Sequence, residues 1–496
     1  MAILDQLDEG IDRVSSFIGR ALTSRGQFVG GCKSRALETG LFLHLLRSLG
    51  LHEERMAGLA RYCRQYLDCA PAEASSLDEV ITGSICRRVL GDPPLEGELS
   101  LLVSMLNTFK HSTQERKLAF FAVLFADLGV LPPPVLKFPR TSRSELNQQL
   151  WVSIIMTSLR VLHAVSQGGR QAVDPDDVAY LIREQAADGG WEQHVLATIV
   201  VLLALLRAGR GEAALARGVA YVVAQIREDG GIPFIANEDT WVTCLSAHIL
   251  AEARPSTCDL NAVARYLVSE QHKNGGWAYS EGVRQTDADD TSISLAFLSR
   301  HDPVAHRESI RRAQWYLLAL QNDDGGFPTF VRGAASEAEI TAKALLALRS
   351  SSEMCFGRRM DRGWQWLANS QRDDGSFSAE WKLCATYPAL HVLTAAQAAA
   401  PSPVVSRVQG GTASLLRRWR QPGGGWGLKP DDRQVHLLST AYALAGLATD
   451  IDNISRIEFT SSVKLLLEMQ SRDGGFYSSG DSLGPRPFVY DVPLLA

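Results

Sequence analysis

One turn recurs seven times in this chain, and its period limits what the chain can fold into. The strings QAADGGW, QIREDGGI, QHKNGGW, QNDDGGF, QRDDGSF, QPGGGW and QSRDGGF begin at Gln185, Gln225, Gln271, Gln321, Gln371, Gln421 and Gln470. Their spacings are 40, 46, 50, 50, 50 and 49 residues. A near-constant period of this size marks a repeat array, each copy one supersecondary unit that cannot bury its apolar face alone. Before each turn stands an apolar-periodic stretch such as ARYLVSEQ or VKLLLEMQ, which predicts an amphipathic helix. The glycines end that helix, because glycine takes the left-handed backbone conformation that other residues resist. A second helix rich in Ala and Leu follows, as in ATIVVLLALL, ISLAFL, TAKALLAL and STAYALAGL. Two helices per period make an αα-hairpin, and consecutive hairpins must stack. The small residues of the second helices suit a crowded inner ring. The expected architecture is therefore all-α, with about six hairpins closing into an α/α barrel rather than an open solenoid.

Residues 1–165 read as helical too, in SRALETGLFLHLLRSLG, EERMAGLARYCRQYL and ERKLAFFAVLFADLG, but without the repeated turn. LPPPVLKFPRTSRS (131–144) reads as a proline-rich connection. The expected division is an N-terminal helical domain, 1–165, and a barrel, 166–496. With 496 residues, 46% of them hydrophobic, the chain buries a full-sized core. A net charge of −5 and no long basic run speak against a generic nucleic-acid binder. Eight scattered cysteines with no C-x-x-C pair read as reduced thiols of a cytoplasmic protein. The start MAILDQLDEGIDR has acids where a signal peptide has a basic start and an apolar run. The longest apolar stretch, Leu196 to Leu206, is too short to span a bilayer. A monomer or homodimer acting on a small molecule is expected.

One string stands out chemically: Gln285-Thr286-Asp287-Ala288-Asp289-Asp290-Thr291-Ser292, between one turn and the next helix. Three carboxyls within four residues cannot all ionise cheaply. Like charges raise one of them, and an apolar barrel raises it further. Acids at a helix start also serve as caps, so Asp290 or Thr291 has a structural reading beside the chemical one. In its repeat context, D-x-D-D-T resembles the motif of class II terpene cyclases, the family of squalene–hopene and copalyl diphosphate cyclases. The resemblance covers roughly residues 180–496. It extends to Asp374-Gly375-Ser376-Phe377 leading to Trp381-Lys382, Tyr387 and His391, and to Gly425-Trp426-Gly427 followed by Ser439–Leu444. It implies a two-domain helical cyclase of the βγ kind, in which Asp289 is the general acid that protonates an alkene. Asp287 and Asp290 would tune and hold it, and a hydrogen bond to the acid's other oxygen would orient the proton.

A carbocation needs stabilisation without a nucleophile that quenches it, and aromatic faces supply this. Trp241, Phe330, Trp381, Tyr387 and Tyr442 are the candidates for the substrate pocket, whereas the turn aromatics are expected to staple repeats. The chain's length and the resemblance imply a linear prenyl diphosphate, farnesyl or geranylgeranyl, with the diphosphate retained. That group calls for cations, with Arg284, Arg332 and Lys382 as candidates. It also calls for Mg²⁺ on carboxylates, with Glu238 and Asp239 preferred. The alternatives are a cyclase of a substrate without a diphosphate (squalene or meroterpenoid type) and a protein prenyltransferase β-like subunit. The latter needs zinc, for which Asp239, Cys244 and His248 are the residues to check.

Overall fold

A computed structural model of the chain describes residues 3–51, 53–69, 76–108, 114–136, 138, 149–350, 356–449, 456–484 and 488–494. Among these residues are twenty α-helices and only four two-residue strands. The chain divides into two compact units. One comprises Met1–Gly31, Asn237–Gly484 and Asp491–Ala496; the other comprises Cys32–Ala236 and Pro485–Tyr490.

The repeated turn explains the first unit. At Gln271 the side-chain amide donates to Gly275 O within its own turn (2.8 Å) and to Ser309 O of the next hairpin (2.9 Å). Gln321 does the same to Gly325 O and Arg359 O, and Gln371 to Gly375 O and Val408 O. Gly275 has φ +94°, and a Cβ there would run into the Arg312 carbonyl. The turn aromatic points inward. Trp277 is fully buried, its indole N–H donates to Leu267 O at 2.6 Å, and its backbone N–H donates to Thr291 Oγ1 at 3.0 Å. Thr341 and Thr440 serve Phe327 and Trp426 in the same way. The glutamine thus clamps neighbouring hairpins, and the aromatic and threonine clamp the two helices of one hairpin.

The resulting ring has outer helices α1 (Ile3–Gly19), α12 (Leu260–Glu270), α14 (Arg307–Leu320), α16 (Gly357–Ser370), α18 (Pro403–Trp419) and α20 (Arg456–Met469). Its inner helices are α11 (Asp239–Ala253), α13 (Ala288–His301), α15 (Ala338–Ser350), α17 (Tyr387–Ala398) and α19 (Leu437–Ala448). Inner helices pack on one another in sequence order, and α20 packs on α1. The last glutamine, Gln470, reaches Gly10 O at 3.0 Å and fastens the last turn to the first helix. Burial follows this layering. Nearly every residue of α15 is buried, whereas α16 buries only Gly363, Trp364, Leu367 and Ala368. The α/α barrel expected from the repeat is present.

The expected boundary at 165 is not where the units part. Residues 1–31 belong to the barrel, and the repeats at Gln185 and Gln225 belong to the other unit. The reason lies in which helix each turn hands over to. Phe28 N–H donates to Thr243 Oγ1 at 2.8 Å, so the turn after α1 pairs with α11, more than 200 residues on. Gly26 at φ +85° plays the part of Gly275 in that turn. Ile232 N–H, in the turn after Gln225, donates instead to Thr39 Oγ1 of α2 (Ala36–Leu49) at 2.9 Å. Residues 32–236 are therefore inserted between the two helices of the barrel's first hairpin.

The second unit continues with α3 (Glu53–Cys69), α4 (Leu77–Leu90), α5 (Glu98–Thr108), α6 (Gln114–Asp127), α7 (Leu150–Gly168), α8 (Pro175–Arg183), α9 (Val195–Ala208) and α10 (Glu212–Ala224). The apolar run at 196–206 lies in α9, buried almost throughout and packed on α7 and α2. No helix among the described residues is long and apolar enough to cross a membrane. Most of the second half of the proline-rich connection lies outside the described residues.

Candidate active site

The acidic string is held by the turn that precedes it. Asp287 is the extended N-cap of α13, and its Oδ1 accepts from Asp290 N–H at 2.8 Å. Its own backbone N–H donates to Trp277 O (2.9 Å), and Ala288 N–H donates to Thr329 O (2.7 Å). Asp287 and Asp290 are both buried. Burial pushes the Asp287 carboxyl up to about 7. Burial and the Asp287 charge push Asp290 well above its ordinary range. Asp290 Oδ1 has no hydrogen-bond partner. This pair is a proton-holding base for the motif, and the capping expected of it is real. Asp289 faces another way. Its side chain keeps 16% exposure, and Oδ1 lies 2.7 Å from Lys343 Nζ.

Lys343, on α15, gathers the rest of the site. Its ammonium also donates to Tyr387 OH at 2.7 Å. It stands 4.7 Å from the centre of the Trp241 ring and 4.9 Å from that of Tyr387. Tyr442 meets Tyr387 edge-on with ring centres 5.1 Å apart. Two of the five expected pocket aromatics, Trp241 and Tyr387, thus meet Asp289 around one cation, with a third, Tyr442, packed on Tyr387. Phe330 and Trp381 form a separate edge-on pair at 5.7 Å. The Trp381 indole donates to Glu337 Oε2 (2.5 Å) and Thr329 Oγ1 (3.0 Å). Burial pushes Glu337 up to about 8 and Glu339 up to about 7. Glu339 Oε1 accepts from the backbone of Glu380 and Trp381, and its Oε2 has no partner.

Lys343, Glu337, Glu339 and Asp481 escape a reading of the sequence by motif. A usable signal exists in the repeat register. Thr291, Thr341 and Thr440 occupy one position, receiving the turn aromatic's N–H. Counting back two residues from the first two gives Asp289 and Glu339; counting back four gives Asp287 and Glu337. Counting forward two from Thr341 and Thr440 gives Lys343 and Tyr442.

The expected diphosphate cations are not brought together. Lys382 is buried and committed to Asp481 Oδ1 (3.1 Å) and Ser482 Oγ (2.8 Å), with its Nζ 5.8 Å from the Tyr387 ring centre. Arg332 pairs with Asp323 on an exposed turn, and Arg284 is exposed. Nor does the expected metal pair fit Mg²⁺. Asp239 Oδ1 accepts from Gly30 N–H (2.7 Å) and Oδ2 from Gln27 Nε2 (3.3 Å), so this carboxylate secures the first turn of the barrel. Among the described residues, no group of three or more His, Cys, Asp or Glu side chains is arranged to hold a metal. That also covers the zinc set Asp239, Cys244 and His248. The Cys244 thiol instead turns to Trp241 O.

The pattern of the prenyltransferase alpha-alpha toroid domain matches residues 291–398 and 382–484. Drimenyl diphosphate synthase of Streptantibioticus cattleyicolor is 33% identical over 506 residues, covering 98% of this chain and 92% of that protein. The chain belongs to the class II terpene cyclase family. A second drimenyl diphosphate synthase, from Streptomyces showdoensis, is 32% identical, covering 98% of this chain and 91% of that protein. In fold, the ent-copalyl diphosphate synthase of Streptomyces platensis matches with a TM-score of 0.61 at 16% identity, over 99% of this chain and 97% of that one. As a class II terpene cyclase, the protein closes rings after protonating its substrate. The protein prenyltransferase reading is not favoured.

Proposed function

We propose that this cyclase protonates the terminal alkene of farnesyl diphosphate through Asp289 and folds the chain into a drimenyl-type bicycle with the diphosphate retained. Two relatives covering almost the whole chain are named as drimenyl diphosphate synthases. The drimenyl skeleton has the carbon count of farnesyl rather than geranylgeranyl. The observation that carries the role of Asp289 is its direction. Of the three aspartates, it is the one that reaches Lys343, whose ammonium lies over the Trp241 and Tyr387 rings. Such faces stabilise a cation by about 1–2 kcal/mol when water is excluded, without offering a nucleophile. Asp287 and Asp290 fix the acid to a helix start, which keeps its geometry rigid. The cytoplasm is our reading of its compartment, supported by the scattered cysteines with no C-x-x-C pair.

The test is incubation of the purified protein with farnesyl or geranylgeranyl diphosphate, with and without Mg²⁺. Products are dephosphorylated and identified by mass spectrometry. A cyclised, diphosphate-retaining product from farnesyl diphosphate, absent with Asp289→Asn, is expected. No cyclised product from either substrate would overturn the reading.

A further inference from the structure

We propose that Phe488 is a binding residue: with Val489 and Tyr490 it forms one wall of a cavity in the second unit, and the anionic isoprenoid that this cavity takes holds the wall in place. That the ligand is a prenyl diphosphate rests on the function proposed above.

The cavity lies within the second unit. Its apolar lining includes Trp151 and Met156 of α7 and Leu196 of α9, and its two cations, Arg116 and Lys117, come from α6. Phe488 completes the lining, although it stands far along the chain from the other three elements. Burial pushes the neighbouring His194 imidazole down to about 3, so it is neutral and adds no charge. Lys117 and Arg116 are therefore the charged groups of the lining. Burial, and then the Arg116 charge, push Lys117 down to about 7, and the opposing pull of Asp78 is smaller. Two adjacent cations in an apolar pocket are costly, and an anion beside them relieves both the desolvation and the mutual repulsion. Apolar walls beside paired cations suit a hydrocarbon chain with an anionic end.

The wall is docked by specific contacts. The Phe488 ring is 1% exposed, and its centre lies 4.8 Å from Lys117 Nζ and 5.6 Å from the Arg35 guanidinium. It meets Phe121 edge-on at 5.7 Å. Val489 N–H donates to Asp78 Oδ2 at 3.2 Å, and Asp78 Oδ1 pairs with Arg35 at 2.9 Å. Tyr490 stacks on Phe234 with ring centres 5.5 Å apart. Lys117 thus faces the ring of the wall and also lines the cavity. A ligand that touches both must bind more tightly when residues 488–490 are docked, and it must favour their docking by the same factor.

Calorimetry with farnesyl diphosphate on the Asp289→Asn protein tests the site without turnover. Phe488→Ala should raise Kd by roughly 10–100-fold, the worth of one buried aromatic side chain, and Phe488→Leu should recover most of the loss. Lys117→Met and Arg116→Gln should each raise Kd by roughly 10-fold or more, as loss of a charge-assisted donor does. Hydrogen exchange of the Val489 amide reads the wall directly, and saturating farnesyl diphosphate should slow it by roughly 10–100-fold. Tyr490 does not line the cavity. Tyr490→Ala should therefore speed this exchange in the absence of ligand and weaken binding less than Phe488→Ala does. Exchange that ligand leaves unchanged, or a Kd that Phe488→Ala leaves unchanged, would overturn the proposal. Should Phe488→Ala not fold, the ligand dependence of exchange still decides. If farnesyl diphosphate binds and slows exchange but the parent does not cyclise it, the reading of the reaction fails and this site stands. If it is cyclised while Phe488→Ala and Lys117→Met bind it as the parent does, this site fails and the reading of the reaction stands.

Discussion

Replacing Gln321 by alanine measures what one glutamine clamp is worth. Gln321 is fully buried, and its amide donates to Gly325 O at 2.8 Å and to Arg359 O at 2.9 Å. Its carbonyl accepts from Arg359 at 3.3 Å. Alanine removes all three contacts and leaves a cavity between two hairpins. At about 1 kcal/mol for each lost bond, with a further term for buried carbonyls that no donor replaces, the loss is about 3–4 kcal/mol. In a unit of this size about 1 kcal/mol moves the midpoint by about 2 °C, so the Tm should drop by about 6–8 °C. Gln421 is the internal control. It is only partly buried, and its amide reaches Asp432 O at 2.9 Å within its own loop. Gln421→Ala should cost about 1 kcal/mol, or about 2 °C. Calorimetric melts of the two variants beside the parent decide the matter. Equal shifts would refute the argument that the glutamine acts by joining neighbouring hairpins.

Two further outcomes follow from partly buried carboxyl groups. Glu337 holds its proton up to about pH 8 in the folded protein, against an ordinary value of 4.5. Between those values the folded state carries a proton that the unfolded state has lost, so stability falls as pH rises through this window. Glu337→Gln should therefore lower the Tm least, or raise it, at pH 8, and compare worse with the parent at pH 4.5; melts at the two pH values check this. Asp239→Ala should lower the Tm by releasing Gly30 and Gln27, and should leave any Mg²⁺ dependence of turnover unchanged in a metal titration.

Much of the barrel was legible because its signal is local and repeated. Each turn carries its glycines, its aromatic and its glutamine within a few residues, and the aspartates lie at a fixed phase after one of them. The insertion was not legible, because the helix that a turn hands over to is chosen by tertiary packing. Nothing near Phe28 announces Thr243 as its partner, and the turn at Gln27-Phe28 works with the single glycine Gly26 in place of a Gly-Gly pair. Lys343 was hidden by a different effect. A lone lysine in the Ala/Leu-rich TAKALLAL belongs to no motif, and only the packing of α15 shows it buried against Asp289. The cations expected at the diphosphate show the converse. Arg284, Arg332 and Lys382 were reasonable by residue type, but an isolated charge in a loop says nothing about whether an acid such as Asp323 or Asp481 already holds it.

The order in which the chain is made gives the split first hairpin a kinetic meaning. Helix α1 is made before its partner, and α11 begins only after residues 32–236 have been added. At roughly 5–20 residues per second, the first helix waits for tens of seconds before its partner exists. Its apolar face has no permanent cover during that time, while the inserted unit has all but its short C-terminal segment and can fold ahead of the barrel. The clamp from Gln470 to Gly10 can form only after every other hairpin of the barrel has been made. Closing the ring is therefore a long-range event that joins segments 460 residues apart, and this docking step is the natural place to look for a slow phase in refolding.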